Sequence, residues 1–587
     1  MFTRPAFLTF IISFAALSLL FSCTRDTNMD YSGSYKNPPD LAIGLLENLP
    51  SPVSGRSGDT VRFKIIGLDS MAKLNPTSIE FYINGIPAKV VSVNHADTTM
   101  SVIVPEYASS GAASMVVNNR LFFGPNFNIF GNVWIDSTFN PTTQRDEFGN
   151  IVLGSGPNGT VRDLFYDEYM ADRDLYVVGY FSTWNGEAFY QISTADGRNN
   201  FFRNVVQLDP YNGAVRTNFL KGSGPNAGAG INGMFPLTQF PGYLIYGSNF
   251  SSYNGYIRVR NMSRVYRSGE LDTLTLNVNN PNPDDANAYI ATFSAFLGGF
   301  DGGVVKAFMD RRQRIISVGG FARHIYNDFA LSTKYSVYGF LTSAKQVAAM
   351  DQEGNLDTTY NFDRTGLLNY GVNGTIRDAV QLMSGTTPGK IIITGDFTLY
   401  NGEQVGRIVM LDDDGKKDNS FNVGSGANGI ISKITYNPVT KKLLLAGNFT
   451  QFNGSPKPWG LVMLNEDGTI DESFAIGEFI RSSSNAGQLV NYAGQLNDGN
   501  IILSGAFSKY KGSDNPEFIT REGFMILRPD GKLAPGLNNT GAFNGTIMDI
   551  LESTSTNGKK AVIIGGAFNL FDNKAISNLV RVGLVPK

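Results

Sequence analysis

Lys390-Ile391-Ile392-Ile393-Thr394-Gly395-Asp396-Phe397 is an apolar run closing on Gly-x-Phe, and the chain repeats that ending. The same close, or a near variant, stands at Val177–Phe181, Ile245–Phe250, Ser317–Phe321, Leu445–Phe449, Leu503–Phe507 and Ile564–Phe568. Successive phenylalanines are 69, 71, 76, 52, 58 and 61 residues apart by subtraction. Spacing of that order is the mark of a repeat architecture in which each unit is one supersecondary element.

The fourth copy shows the grammar of a unit. Asn373-Gly374 leads into a strand over 375–382, and the quoted run is the second strand. After Thr398-Leu399-Tyr400-Asn401-Gly402 a third strand covers 407–411, and Asp414-Gly415 turns it into a fourth that ends Asp418-Asn419-Ser420-Phe421. Four strands joined by tight turns make one propeller blade, so seven copies predict an all-β chain carrying a seven-bladed β-propeller over residues 131–587. The last copy stops after Asn578-Leu579-Val580-Arg581-Val582, and the missing strand stands ahead of the first copy as Trp134-Ile135-Asp136-Ser137-Thr138-Phe139. The start of the repeat region is therefore expected to complete the last blade and close the ring, which removes open sheet edges.

These residues resemble the delta-60 repeat family of bacterial exported propellers. The match rests on the Gly-x-Phe strands, the Asn-Gly turns, and Asp136 with Phe139, Asp418 with Phe421 and Asp471 with Phe474. The third copy departs through a long insertion after Phe321, and the second has Asn218-Phe219 where an aspartate is expected.

Upstream, residues 1–22 read as a lipoprotein signal peptide. Arg4 precedes the uncharged run from Ala6 to Ser22, and Leu20-Phe21-Ser22-Cys23 resembles a lipobox, which implies lipidation of Cys23. Polar residues 23–40 read as a tether. Residues 41–130 alternate as β-strands, with an Asn84-Gly85 hairpin signal. They resemble the Ig-like IPT/TIG sandwich at Pro52, Gly55, Gly58-Asp59-Thr60-Val61, Gly67, Val104-Pro105 and Gly111. The whole layout resembles Bacteroidota cell-envelope lipoproteins that sit beside outer-membrane glycan importers. That resemblance implies a lipid-anchored protein of the envelope, at the outer membrane, with a glycan or an outer-membrane protein as partner.

Composition narrows the chemistry. The formal net charge of −3 argues against nucleic acid as partner. Two histidines, His95 and His324, and the single Cys23 leave nothing for a zinc site, a disulfide or a histidine-based triad. Asp412-Asp413-Asp414-Gly415 occupies a hairpin slot, so no metal is expected, and no phosphate-binding loop implies a cofactor. The expected function is a non-catalytic binding or scaffold module. Alternatives are a glycan hydrolase or lyase drawing on Asp196, Asp284, Asp285 and Asp328 in the insertions, and an adhesive surface protein.

The breaks in the repeat carry the candidate site. Insertions at 187–203, 277–296 and 322–345 interrupt copies one to three, in the two loops that open on one face of a propeller. Tyr190, Phe202, Tyr289, His324, Tyr326, Tyr335 and Tyr338 are the candidate ligand contacts there. The aromatics that follow Gly-x-Phe in the regular copies (Trp184, Tyr253, Tyr400, Phe452, Tyr510, Phe571) are expected to be core.

Overall fold

The computed structural model describes residues 43–67, 79–145, 151–153, 155–168, 173–191, 199–219, 221–280, 282–363, 370–385, 388–483 and 486–585. Cys23, the signal and the tether lie outside the described residues. Among those described, no helix is long and apolar enough to cross a membrane.

Residues 44–129 form two facing sheets. One orders Gly44–Leu45, Thr60–Ile66, Thr99–Ile103 and Val90–Asn94; the other orders Ser54–Gly55, Arg120–Ile129, Gly111–Val117, Ile79–Ile83 and Ile86–Ala88. Alternation decides which side chains meet between them: Val61, Phe63 and Ile65 are buried from the first sheet, and Phe81, Met115 and Phe127 from the second. The rings of Phe63 and Phe81 lie 4.9 Å apart. Asn84 and Gly85 take φ of 46° and 74°, the left-handed pair that a two-residue hairpin turn demands.

Seven further sheets follow. Their innermost strands are Thr160–Tyr166, Gly230–Pro236, Val304–Met309, Thr375–Gln381, Ile431–Asn437, Tyr492–Gln495 and Asn544–Thr554, and each pairs with the strand that ends in the repeated glycine motif. Consecutive innermost strands pack on one another, and Thr160–Tyr166 packs on Asn544–Thr554, so the seven sheets close into a cycle. Trp134–Ile135 pairs antiparallel with Val582–Gly583 as the outer strand of the seventh sheet, as the sequence predicts.

The other six outer strands are shorter than expected. Each is reduced to one bridge after the glycine turn that follows the third strand, as at Leu411 with Lys417 and Leu464 with Ile470. The repeated aspartate explains this. Asp418 accepts from the backbone N and hydroxyl of Ser420, and Asp471 does the same with Ser473, so each side chain builds a local turn that ends the strand. The same carboxylates pair with cations of the sheet: Asp471 with Lys442 at 2.7 Å, Asp357 with Arg314 at 2.8 Å and Asp136 with Arg581 at 2.9 Å.

The turn aromatics are core. Trp184, Tyr253, Tyr400, Phe452, Tyr510 and Phe571 are all buried. The tyrosine hydroxyls donate to the glycine carbonyl of the Asp-Gly turn or its counterpart, Tyr253 to Gly269 at 2.6 Å, Tyr400 to Gly415 at 2.5 Å and Tyr510 to Gly531 at 2.6 Å. One repeated side chain therefore fills the interior and ties two turns of its unit.

The two-sheet unit docks on the ring through polar contacts to backbone. Asn539 donates to the carbonyl oxygens of Ala108 and Glu106, Arg521 to that of Tyr107 at 2.8 Å, and Asn573 to that of Ser110 at 3.1 Å. Burial pushes the Arg521 guanidinium down to about 9, against the opposing influence of Tyr107. Phe479, Phe507 and Tyr510 of the ring belong to the same continuous core as Phe63 and Phe81.

Candidate functional site

In six of the seven innermost strands the pairing register slips near the start, at Val161/Asp163, Ile231/Gly233, Val304/Lys306, Ile376/Asp378, Ile431/Lys433 and Ile547/Asp549. A bulge inserts an unpaired residue and re-aims the next side chain. Here the repetition sets a belt of Asp163, Gly233, Lys306, Asp378, Lys433 and Asp549 around the ring axis.

The belt stitches neighbouring sheets together. Asp549 accepts from the backbone N of Leu164 at 2.9 Å, closing the seventh sheet on the first, and Asp378 accepts from that of Ile434 at 3.2 Å. Lys433 pairs with Asp378 at 3.1 Å and Lys306 with Asp163 at 3.6 Å. Burial, then the neighbouring Asp163, push the Asp549 carboxyl up to about 7, against the pull of Lys306 and Lys433. Burial alone would lower the Lys306 pKa, but the surrounding Asp163, Tyr246, Asp378 and Asp549 raise it. At the second sheet the belt holds glycine because a Cβ on Gly233 would lie 2.2 Å from the Tyr246 hydroxyl.

Above the belt the axis opens into a cavity of about 680 Å³, a size suited to a small ligand. All seven innermost strands or their approaches reach it, through residues such as Arg162, Asn232, Val305, Arg377, Asn491 and Thr546. Below the belt lies a smaller space of about 220 Å³, lined by Tyr436, Tyr492 and Gln495 among others.

The insertions rise on the face that carries the larger mouth, because they occupy the connections that emerge where the innermost strands begin. They are ordered ribbons. Arg323–Thr333 pairs with Ser336–Ser343, Thr273–Asn277 with Ile290–Ser294, and Phe189–Gln191 with Asn199–Phe201. The first two share a small core in which Phe293 and Phe329 stack at 4.9 Å. A further ribbon in the sixth copy, where Glu478–Arg481 pairs with Phe507–Lys511, escaped the sequence reading because its strands are far apart in the chain.

The structure divides the seven candidate contacts. Tyr335 at the ribbon tip is 62% exposed, Tyr289 50% and Tyr338 48%, and Tyr326 is half-buried on the same ribbon as Tyr338. The Tyr335 hydroxyl donates to Asp285 at 3.1 Å, which ties the tip to the short helix Ala286–Tyr289. Tyr338 lies edge-on to Phe340 at 5.2 Å. Of the other three, the buried Phe202 and His324 require correction. Tyr190 donates to the carbonyl of Phe219 at 2.8 Å and packs on Phe202, which is itself buried. His324 is buried, donates from Nε2 to the carbonyl of Gly354 at 3.0 Å and sits edge-on to Phe300. Burial drives its pKa down to about 4. Phe202 and His324 are buried at the bases of their ribbons and closed to a ligand, whereas Tyr190 is half-buried with its hydroxyl held by Phe219 and Asn200. Asp285 caps the short helix and Asp328 accepts from the backbone N of Leu331, so both have local roles.

Comparison with known proteins places two family matches on this frame. Residues 18–125 match a family described as a domain of unknown function, DUF5008. Residues 389–421 and 441–474, in the fourth and fifth repeats, match a family described as DUF5122, a domain of unknown function forming a β-propeller. The chain is all-β and carries propeller repeats. No curated protein matches it in sequence. Among solved structures it is similar to the WD40 β-propeller domain of Doa1, at 12% identity and TM-score 0.33 over 77% of this chain and 97% of that one. It is also similar to an auxiliary nutrient binding protein from Bacteroides ovatus, at 14% identity and TM-score 0.22 over 93% and 98%. Another auxiliary nutrient binding protein, from Bacteroides thetaiotaomicron, matches at 12% identity and TM-score 0.23 over 69% and 96%.

Proposed function

We propose that this chain is a lipid-anchored protein of the cell envelope whose ring is a seven-bladed propeller that binds a ligand without transforming it. The observation that carries the reading is one cavity reached from all seven sheets, on the face where the ribbons and the two-sheet unit also rise. Function on a rigid scaffold concentrates in such excursions. The two-sheet unit is an Ig-like module of the IPT/TIG kind, spacing the ring from an anchor at Cys23 in the outer membrane. The lipobox-like residues 20–23 and the polar tether support that placement. The ligand is a glycan: the mouth offers amide and hydroxyl groups, and a ribbon on the same face presents Tyr335 and Tyr338 as exposed rings. An outer-membrane protein is the further partner implied by that setting.

Glycan-array binding by the full soluble chain tests the reading. Binding that falls when Tyr335→Ala and Tyr338→Ala are combined, with unchanged melting and no release of shorter sugars, is the expected result. Turnover of a bound glycan would replace the reading with an enzyme, and binding confined to the opposite face would refute it.

A further inference from the structure

The charge of the mouth is unevenly compensated. Within the belt each lysine faces a carboxylate, Lys306 with Asp163 and Lys433 with Asp378. Above it stand Arg162 from the first sheet and Arg377 from the fourth, and both line the cavity. Among the described residues neither guanidinium forms an ion pair. Arg162 lies over the Tyr180 ring at 5.0 Å and directs Nη1 at the sulfur of Met548 at 3.6 Å, while its Nε is buried without a hydrogen-bond partner. Arg377 is exposed. Asp378, the one carboxylate among the described residues lining this cavity, is held by Lys433 and the Ile434 backbone.

From this arrangement we infer that the mouth is a binding site for an acidic saccharide, a chain of uronate residues whose carboxylates reach Arg162 and Arg377. The inference rests on the reading of this face as the ligand-binding face. The fork of a guanidinium matches a carboxylate in two parallel hydrogen bonds. The first and fourth sheets stand three steps apart in a cycle of seven, so the arginines flank the mouth from nearly opposite sides. A single small anion satisfies one of them; an oligomer with a carboxylate on each ring satisfies both. Between them, Ser248, Thr375 and Thr546 offer hydroxyls and Asn232 an amide, groups suited to sugar hydroxyls. Part of this lining is already positioned: the Tyr180 hydroxyl donates to Asn232 at 3.0 Å, and Asn232 donates to the carbonyl of Val304 at 2.6 Å. Preorganised groups lower the cost of binding.

The test is calorimetric titration of the full soluble chain with an oligogalacturonate, alongside the neutral oligogalactose of equal length and a glutamate peptide of equal charge. The acidic sugar should bind at least about tenfold tighter than either, and more weakly as salt rises. Arg162→Gln and Arg377→Gln should each cost about tenfold while melting stays within 2–3 °C, because neither side chain holds a carboxylate of the fold. Equal binding of the neutral sugar, preference for the peptide, no binding of the uronate, or a double arginine variant that binds normally would each overturn the inference. If the uronate fails while another glycan binds and is lost in the Tyr335/Tyr338 variant, the face still binds a ligand and only its acidic preference falls. If nothing binds on that face, both readings fall.

Discussion

Arg581→Met is the sharpest test of ring closure. Arg581 lies in the third strand of the last sheet, and its side chain is fully buried. Its Nε donates to Asp136 Oδ2 at 2.9 Å, and the guanidinium lies over the Phe139 ring at 4.6 Å. Asp136 follows the strand that seals the seventh sheet, 445 residues earlier in the chain. Removing the cation leaves a buried carboxylate unpaired, at a cost of about 3–5 kcal/mol. An unfolding entropy near 2.1 cal/mol/K per residue over about 450 residues converts that to a Tm loss of about 3–5 °C for a ring that melts as one unit. Replacing both members, Arg581→Met with Asp136→Leu, should recover most of the loss, because an apolar pair of similar volume satisfies a buried site. The assay is differential scanning calorimetry of the single and double variants as a double-mutant cycle. A loss under about 1 °C in the single variant, or a double variant no better than the sum of the singles, would refute the view that this pair fastens the closure.

Other perturbations carry their own signs. His324 has a folded-state pKa of about 4, below its ordinary 6.5, so its stability contribution is complete above pH 6.5 and is lost as pH falls toward 4. The loss should approach about 3 kcal/mol, and His324→Gln should flatten that limb of the pH–stability profile. Asp549 runs the other way: its pKa is raised to about 7, so its protonated form favours folding and stability falls as pH rises through 7. Asp549→Asn keeps an acceptor for Leu164 and should raise Tm at pH 8 more than at pH 5; the reverse order would show that the carboxylate is ionised at little cost. Tyr400→Phe leaves the Gly415 carbonyl without its buried donor and should cost about 1–2 kcal/mol by denaturant titration. Cys23→Ala should abolish incorporation of labelled fatty acid and release the protein from membranes; continued labelling would exclude the anchor.

The repeat, the closing strand and the structural role of the turn aromatics were legible because each leaves a local mark that recurs. Gly-x-Phe fixes a strand end, Asn-Gly fixes a turn, and the missing Asp-x-Ser-Phe of the last copy points to Trp134–Phe139. What escaped was set by pairing across distance. The belt has a sequence trace, since Asp163, Lys306, Asp378, Lys433 and Asp549 follow an apolar-x pair at the start of their strands. Strict alternation assigns them to the wrong face, and only the bulge turns them to the axis. Tyr190, Phe202 and His324 looked like loop residues because the insertions are polar and irregular in sequence. Tyr190 meets Phe219 and Phe202, and His324 meets Gly354 and Phe300, contacts that the local sequence does not announce. Tyr289, Tyr335 and Tyr338 stayed exposed because they lie at the tips and outer faces, beyond the ribbon core of Phe293 and Phe329.

Hydrogen exchange of the full chain with and without the glycan selected on an array tests the central claim, that the ligand sits on the face around the upper mouth. Protection should appear at the starts of the innermost strands, over 160–163, 375–378 and 545–548, and on the ribbon over 323–343. Protection confined to the opposite hairpins, such as 412–416 and 497–500, with the mouth and ribbon unchanged, would contradict it.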